Sequence, residues 1–311
     1  MTTTMKPFLK WVGGKSQLLT TISEKIPPVM ENYHEPFVGG GSVLFTILSL
    51  QKENKITIRG KVYAYDSNKN LIATYKAIQS YPNEFHKELT NIVEIYDSLR
   101  GTTIIRNPTV DQSNTSKESY YYWIRHCYNK EQNQESIENC ARFVFLNKTC
   151  FRGMYRVGPN GMNVPYGHYK KTPGFLSKEE CLAIQDLIKQ VVFTKSDFSE
   201  SIEKAQKQDF IYLDPPYAPE NPKSFVKYTE DGFSKEQHEK LFTQTVSLRE
   251  KKVAFLMSNA KVEIVEEYFK DFQSVVVNAK RAIHCKNPGS MTQELLIYYY
   301  PLEQELKEEE E

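Results

Sequence analysis

The chain has 311 residues, of which 40% are hydrophobic and 13% aromatic, with a formal net charge of +1. That is ample for one large or two modest folded domains, so an intrinsically unstructured chain is excluded. No apolar stretch approaches the roughly 20 residues of a membrane span, and Met1-Thr2-Thr3-Thr4 lacks the apolar segment of a signal peptide, so a soluble, non-exported protein is expected.

Lys6, Lys10 and Lys15 precede the first acid, Glu24. Gly14-Lys15-Ser16 invites a phosphate-loop reading, but Leu9 stands where GxxxxGK[ST] needs glycine, which argues against ATP. The loop Trp11-Val12-Gly13-Gly14-Lys15 offers an aromatic for stacking and a cation for a carboxylate. It suits a cofactor with a purine and an amino-acid end, and S-adenosylmethionine has both. A strand over 33–37 runs into Glu35-Pro36-Phe37-Val38-Gly39-Gly40-Gly41-Ser42 and then the helical run Val43-Leu44-Phe45. Glycines here let a ligand touch the backbone. Leu44 stands where GxGxxG needs its third glycine, which disfavours nicotinamide and flavin. A second strand, 62–65, ends at Asp66, placed as an acid for ribose hydroxyls. A tight glycine turn with a capping Asp is the ordinary alternative.

Residues 80–178 form an insert too long for a crossover, with helical periodicity over 85–99, 120–128 and 136–146 and a polar, turn-rich stretch at 101–116. Residues 151–169, rich in glycine and with two prolines among hydrophobic residues, read as an extended hairpin or ordered loop. Residues 141–171 carry Arg142, Lys148, Arg152, Arg156, Lys170 and Lys171 with no acid. That suits phosphates, or simply a solvated basic face. Further strands are expected at 191–194, 210–213, 253–257, 274–277 and 295–300. Most strands are separated by helical patterns, so the fold class is α/β with a doubly wound, mostly parallel sheet. Residues 303–311 hold six Glu against Lys307, a solvated acidic end expected to be disordered. The cysteines Cys127, Cys140, Cys150, Cys181 and Cys285 form no CxxC pair, so reduced thiols are expected and neither disulfides nor metal.

The densest chemistry follows the strand Phe210-Ile211-Tyr212-Leu213. Asp214-Pro215-Pro216-Tyr217 closes it, and prolines without N–H cannot extend a ladder. A carboxylate, a carbonyl and an aromatic face converge where open α/β sheets bind ligands. Such a cluster suits a planar heterocycle bearing an exocyclic amine, adenine N6 being the obvious candidate, while a strand-ending loop with a helix-capping Asp is the bland reading.

Taken together, Phe8-Leu9-Lys10-Trp11-Val12-Gly13-Gly14-Lys15, the glycine motif, Asp66-Ser67-Asn68 and Asp214-Pro215-Pro216-Tyr217 resemble, in residues and order, the Dam-like (D12 class) DNA adenine-N6 methyltransferases. The segments 145–156 and 163–167 resemble the family's DNA-recognition hairpin. Phe225, Tyr228 and 233–237 resemble the stretch after its catalytic motif, and Ser258-Asn259, Arg281 and Glu294-Leu295-Leu296 its last strands. The resemblance covers nearly the whole chain except the acidic tail. Arg152 and Gly158 depart from the pattern, each standing where the family usually has Asn.

The resemblance implies a discontinuous S-adenosylmethionine-binding catalytic domain, 1–79 and 179–301, interrupted by a mainly helical DNA target-recognition domain, 80–178, with a hairpin at about 151–169. Residues 302–311 are the acidic tail. Asp214, Pro215, Pro216 and Tyr217 are implied as catalytic. Trp11, Lys15, Phe37, Gly39, Gly41, Asp66 and Asp214 are implied to hold S-adenosylmethionine, with Asp197 and Phe198 at its adenine, although Asp197 reads equally as a helix cap. On DNA, Phe151 would wedge into the base stack, Arg156 and Lys10 would each reach a guanine, and Met154 and Pro165 would make apolar contacts. Lys10, Met154, Arg156 and Pro165 match GATC-specific members, so methylation of adenine within GATC by base flipping is expected. Partners would be duplex DNA and no membrane, for a monomeric, cytoplasmic, nucleoid-associated enzyme; a cognate restriction nuclease, without direct contact, is left open. A cytosine-N4 enzyme and a DNA-binding module with a decayed transfer site are the alternatives. No cysteine follows a proline, which disfavours cytosine-C5 chemistry.

Overall fold

A parallel strand covered on both faces needs an unbroken apolar run, and Phe210-Ile211-Tyr212-Leu213, all four buried, supplies the centre of a seven-stranded sheet. The computed structural model describes residues 5–219, 233–280 and 291–302. The acidic residues 303–311, together with Phe225, Tyr228, Arg281 and Cys285, lie outside the described residues.

The strands, in chain order, are β1 (Val29–Met30), β2 (Tyr33–Glu35), β3 (Thr57–Ile58), β4 (Val62–Asp66), β5 (Val157–Gly158), β6 (Gly161–Met162), β7 (Val191–Lys195), β8 (Phe210–Leu213), β9 (Ala254–Ala260), β10 (Gln273–Lys280) and β11 (Met291–Tyr299). The helices are α1 (Leu19–Ser23), α2 (Ser42–Lys52), α3 (Lys69–Ser80), α4 (Pro82–Ser98), α5 (Val110–Ser113), α6 (Lys117–Lys130), α7 (Ile137–Thr149), α8 (Lys178–Ile188), α9 (Phe198–Glu203), α10 (Lys235–Ser247) and α11 (Glu263–Tyr268). A 3₁₀ turn covers Phe151–Gly153.

The chain divides into two compact units. The first comprises residues 15–67 and the part from 190 onward, and holds the large sheet in the order β7-β4-β2-β8-β9-β11-β10. Its pairs are parallel except that β11 runs antiparallel to both neighbours, β9 and β10. The sheet is thus mostly parallel, as the helix-separated strands predict. The order reverses between β2 and β8, registered Tyr33 to Phe210 and His34 to Ile211. Under the sheet, Ile211, Leu213, Phe242, Phe255, Met257 and Val265 form the core, each burial contributing roughly 1.5–3 kcal/mol.

The second unit, residues 5–14 and 68–189, is mainly helical. Helix starts are written into its sequence. Asn68 accepts from the N–H groups of Asn70 and Leu71 at the start of α3, Ser136 caps α7, and Ser177 with Glu180 forms a capping box on α8. Its core gathers aromatics: Tyr96 packs edge-on to Phe145 at 5.2 Å and shares a 2.6 Å hydroxyl contact with Tyr166. The 151–169 stretch contains the turn Phe151–Gly153 and a minimal antiparallel pair, β5 with β6.

Candidate active site

Ligands bind open α/β sheets at the carboxyl ends of strands where the strand order reverses. Here that point lies between β2 and β8, so the glycine motif leaving β2 and the Asp-Pro-Pro-Tyr segment leaving β8 emerge at the same edge. Beyond Leu213, Pro215 and Pro216 offer no N–H and the ladder stops.

Asp214 Oδ1 lies 2.7 Å from the Lys15 ammonium, with Lys15 5% and Asp214 18% exposed. Burial pushes the Asp214 carboxyl above its ordinary range, Lys15 pulls it back, and Glu294 pushes it up again. The same ammonium stands 4.9 Å from the centroid of the Tyr217 ring. The Tyr217 hydroxyl donates to Glu294 Oε2 of β11 at 2.7 Å, and Asn259 Oδ1 of β9 accepts the Ala218 N–H at 3.1 Å. Tyr217 is therefore fixed at its hydroxyl and by the backbone that follows it. Glu35, at the end of β2, is fully buried and accepts from Tyr33 Oη at 2.6 Å. Burial lifts its pKa to about 8, so it is largely protonated at neutral pH.

In the glycine motif the chain turns through Gly39 and Gly41 at φ +47° and +75°, left-handed values that a Cβ disfavours. The three glycines are buried, the Val38 N–H bonds to Tyr65 O at 2.9 Å, and the Gly39 N–H donates to Asp66 Oδ2 at 3.1 Å. Phe37 stacks on Phe198 with centroids 5.8 Å apart. Asp197, exposed, caps α9 by accepting from the Ser199 N–H at 2.9 Å.

In the second unit, Trp11 stacks on Tyr155 with centroids 6.0 Å apart. Lys10 Nζ donates to the Lys148 carbonyl at 3.2 Å and lies 4.1 Å over the Tyr169 ring. Phe151 is 40% exposed, Met154 half-buried, and Pro165 exposed with its carbonyl accepting the Phe151 N–H at 2.8 Å. Arg156, also exposed, donates through Nε to Asn163 Oδ1 at 2.6 Å, across the base of the β5–β6 pair. Arg152 is held at a left-handed φ of +56° beside Gly153 at +66°, and its guanidinium lies 5.1 Å over Phe151.

Lys15, expected to meet a cofactor carboxylate, is thus paired with Asp214. Sequence reading assigned no role to Glu35, Asn147, Asn259 or Glu294. The available signal was a polar residue inside an apolar run, as in Phe145-Leu146-Asn147 and Glu294-Leu295-Leu296. Among the described residues no group of three or more His, Cys, Asp or Glu is placed to hold a metal, and no helix is long and apolar enough to cross a membrane.

Residues 11–283 match the D12 class N6 adenine-specific DNA methyltransferase family. The chain therefore belongs to that family and is an adenine-specific DNA methyltransferase. It is similar to the type II methyltransferase M.MjaIII of Methanocaldococcus jannaschii, at 33% identity over 91% of this chain and 94% of that protein. The type II methyltransferase M1.LlaDCHI of Lactococcus lactis subsp. cremoris is 31% identical over 95% and 96% of the two chains. The DNA adenine methylase of Escherichia coli strain K12 is 28% identical over the same shares.

Proposed function

We propose that the protein methylates adenine N6 within GATC in duplex DNA, using S-adenosylmethionine and flipping the target base out of the stack. The observation that carries this reading is the buried Lys15–Asp214 pair beside the pinned Tyr217 ring at the strand-order reversal.

The residues fit the cofactor. Buried left-handed glycines bring backbone close to a ligand, Asp66 offers a carboxylate beside them for ribose hydroxyls, and the Phe37–Phe198 stack supplies an aromatic wall for adenine. Lys15 and Asp197 complete the set proposed within the first unit. When bound, S-adenosylmethionine supplies an electrophilic methyl group on a sulfonium centre. A base within the duplex is out of reach, so extrusion costs a few kcal/mol, and stacking on Tyr217 offsets part of it. With Oδ1 held by Lys15, Asp214 accepts one N6 hydrogen through Oδ2 and the Pro215 carbonyl accepts the other. Both bonds draw the amine toward tetrahedral geometry and free its lone pair for direct in-line transfer. No covalent enzyme intermediate is required.

In the second unit, Arg156 and Lys10 read guanines, Met154 and Pro165 make apolar base contacts, and exposed Phe151 enters the stack vacated by the flipped base. The test is transfer of labelled methyl groups from S-adenosylmethionine into duplex DNA, followed by nucleoside analysis and mapping of modified sites. N6-methyladenine confined to GATC is expected. A different dominant motif overturns the GATC assignment alone, and N4-methylcytosine overturns the base. Flipping is read separately with 2-aminopurine at the target position, whose fluorescence should rise on binding; an unchanged signal with a cognate duplex counts against extrusion.

A further inference from the structure

Lys10 and the turn after α7 are far apart in sequence, yet one buried side chain ties them together. The Asn147 amide, 2% exposed, accepts from the Lys10 N–H at 2.9 Å and donates to the Lys10 carbonyl at 2.7 Å. These are the two bonds a neighbouring strand would make to that residue. The same Nδ2 lies 3.4 Å from the Gly153 carbonyl, inside the turn that carries Phe151. The turn leaves Lys10 no slack, for a Cβ on Gly153 would meet Lys10 Cβ at 2.4 Å and Cδ at 2.9 Å. The Lys10 ammonium is steered further by the Lys148 carbonyl and the Tyr169 ring. A neutral amide is suited to this post, since it presents a donor and an acceptor at once, whereas Asp presents only acceptors and Leu neither.

We propose that Asn147 is a specificity-determining positioning residue: it sets the Lys10 ammonium in register with the turn bearing Phe151 and Met154, so that one guanine is read correctly. This rests on the reading of Lys10 as a guanine contact. Asn147 is itself buried and acts only through Lys10 and the turn.

The experiment measures methylation kcat/KM on GATC and on every single-base variant of it for the wild type and for the Lys10→Ala, Asn147→Ala and Gly153→Ala variants. Lys10→Ala should relax the choice at one G·C pair by about tenfold, the scale of a single guanine contact. Asn147→Ala should relax the same pair by a similar factor, leave the pair read by Arg156 as selective as before, and add nothing when combined with Lys10→Ala. Gly153→Ala crowds Lys10 within the same segment while leaving the Asn147 side chain in place, and should relax the same pair, which keeps the proposal testable if Asn147→Ala fails to fold. If Lys10→Ala relaxes one pair while Asn147→Ala and Gly153→Ala lower all substrates equally, the role of Asn147 is overturned and that of Lys10 stands. If Lys10→Ala relaxes no pair, the Lys10 reading falls and the Asn147 inference with it.

Discussion

The Lys15 ammonium sits 2.7 Å from Asp214 Oδ1, giving the carboxylate at the end of β8 a fixed and almost fully buried counterion. The groups acting on Asp214 are Lys15, which favours the carboxylate, and Glu294 with burial itself, which oppose it; Asp214 in turn raises the pKa values of Glu35, Tyr212 and Tyr217. If Asp214 must be ionised to accept an N6 hydrogen, kcat falls as pH drops through its pKa, and burial places that limb above the ordinary carboxylate range. Lys15→Gln removes the favourable charge, so the acid limb should move to higher pH, and Lys15→Arg should move it back. A pH–kcat profile whose limb stays in place would remove Asp214 from that role. Asp214→Ala should lower turnover by at least about 10²-fold while DNA affinity in a mobility-shift assay changes little.

Asp66 holds the Gly39 N–H and stands at the end of β4. Asp66→Ala should raise the KM for S-adenosylmethionine with a much smaller effect on kcat, the pattern of an interaction made equally in the ground and transition states. An unchanged KM in a folded variant argues against a ribose contact.

Arg156 is exposed and its guanidinium is oriented by Asn163, with Nε donating to Oδ1 at 2.6 Å and Nη2 to the carbonyl at 3.4 Å. If it reads a guanine, Arg156→Ala should cost about 1–3 kcal/mol of discrimination at one base pair. If it anchors a phosphate, all substrates should weaken alike and the salt dependence should become shallower. Competition among single-base variants of GATC separates the two.

Glu35 binds its proton more tightly folded than unfolded, its pKa rising from the ordinary 4.5 to about 8. Its contribution is fully present below about pH 4.5 and is lost as pH rises toward 8, at up to about 1.4 kcal/mol per unit. Glu35→Gln mimics the protonated acid and keeps an acceptor for Tyr33. The wild type should therefore lose melting temperature between pH 5 and 8 more steeply than the variant; parallel curves would place the Glu35 ionisation elsewhere.

Much of the sheet was legible because buried parallel strands are written as apolar runs: Phe210–Leu213 has its expected ends. β9 and β11 are longer than expected, Ala254–Ala260 and Met291–Tyr299, because polar Ser258, Asn259, Gln293 and Glu294 continue strands whose apolar runs stop. Those polar residues bond to partners distant in sequence, as Asn259 does to Ala218 and Glu294 to Tyr217. Lys15 with Asp214 and Lys10 with Asn147 are of the same kind. Local pattern carries no trace of a pairing made only when remote segments meet, so motifs named Asp214 and Lys10 but not what holds them.

The helical unit leaves the chain after Ser67 and rejoins it at Gln190, between β4 and β7, which are hydrogen-bonded neighbours. Its first and last long helices, α3 and α8, are fastened to each other: Gln79 Nε2 donates to the Ile188 carbonyl at 2.7 Å, and Gln185 Nε2 to the Gln79 carbonyl at 3.3 Å. An excursion stapled at its neck can lengthen, shorten or be exchanged beyond the staple at little entropic cost to the strands that carry it. Exchanging the excursion at this neck should therefore leave the fold of the seven-stranded sheet unchanged.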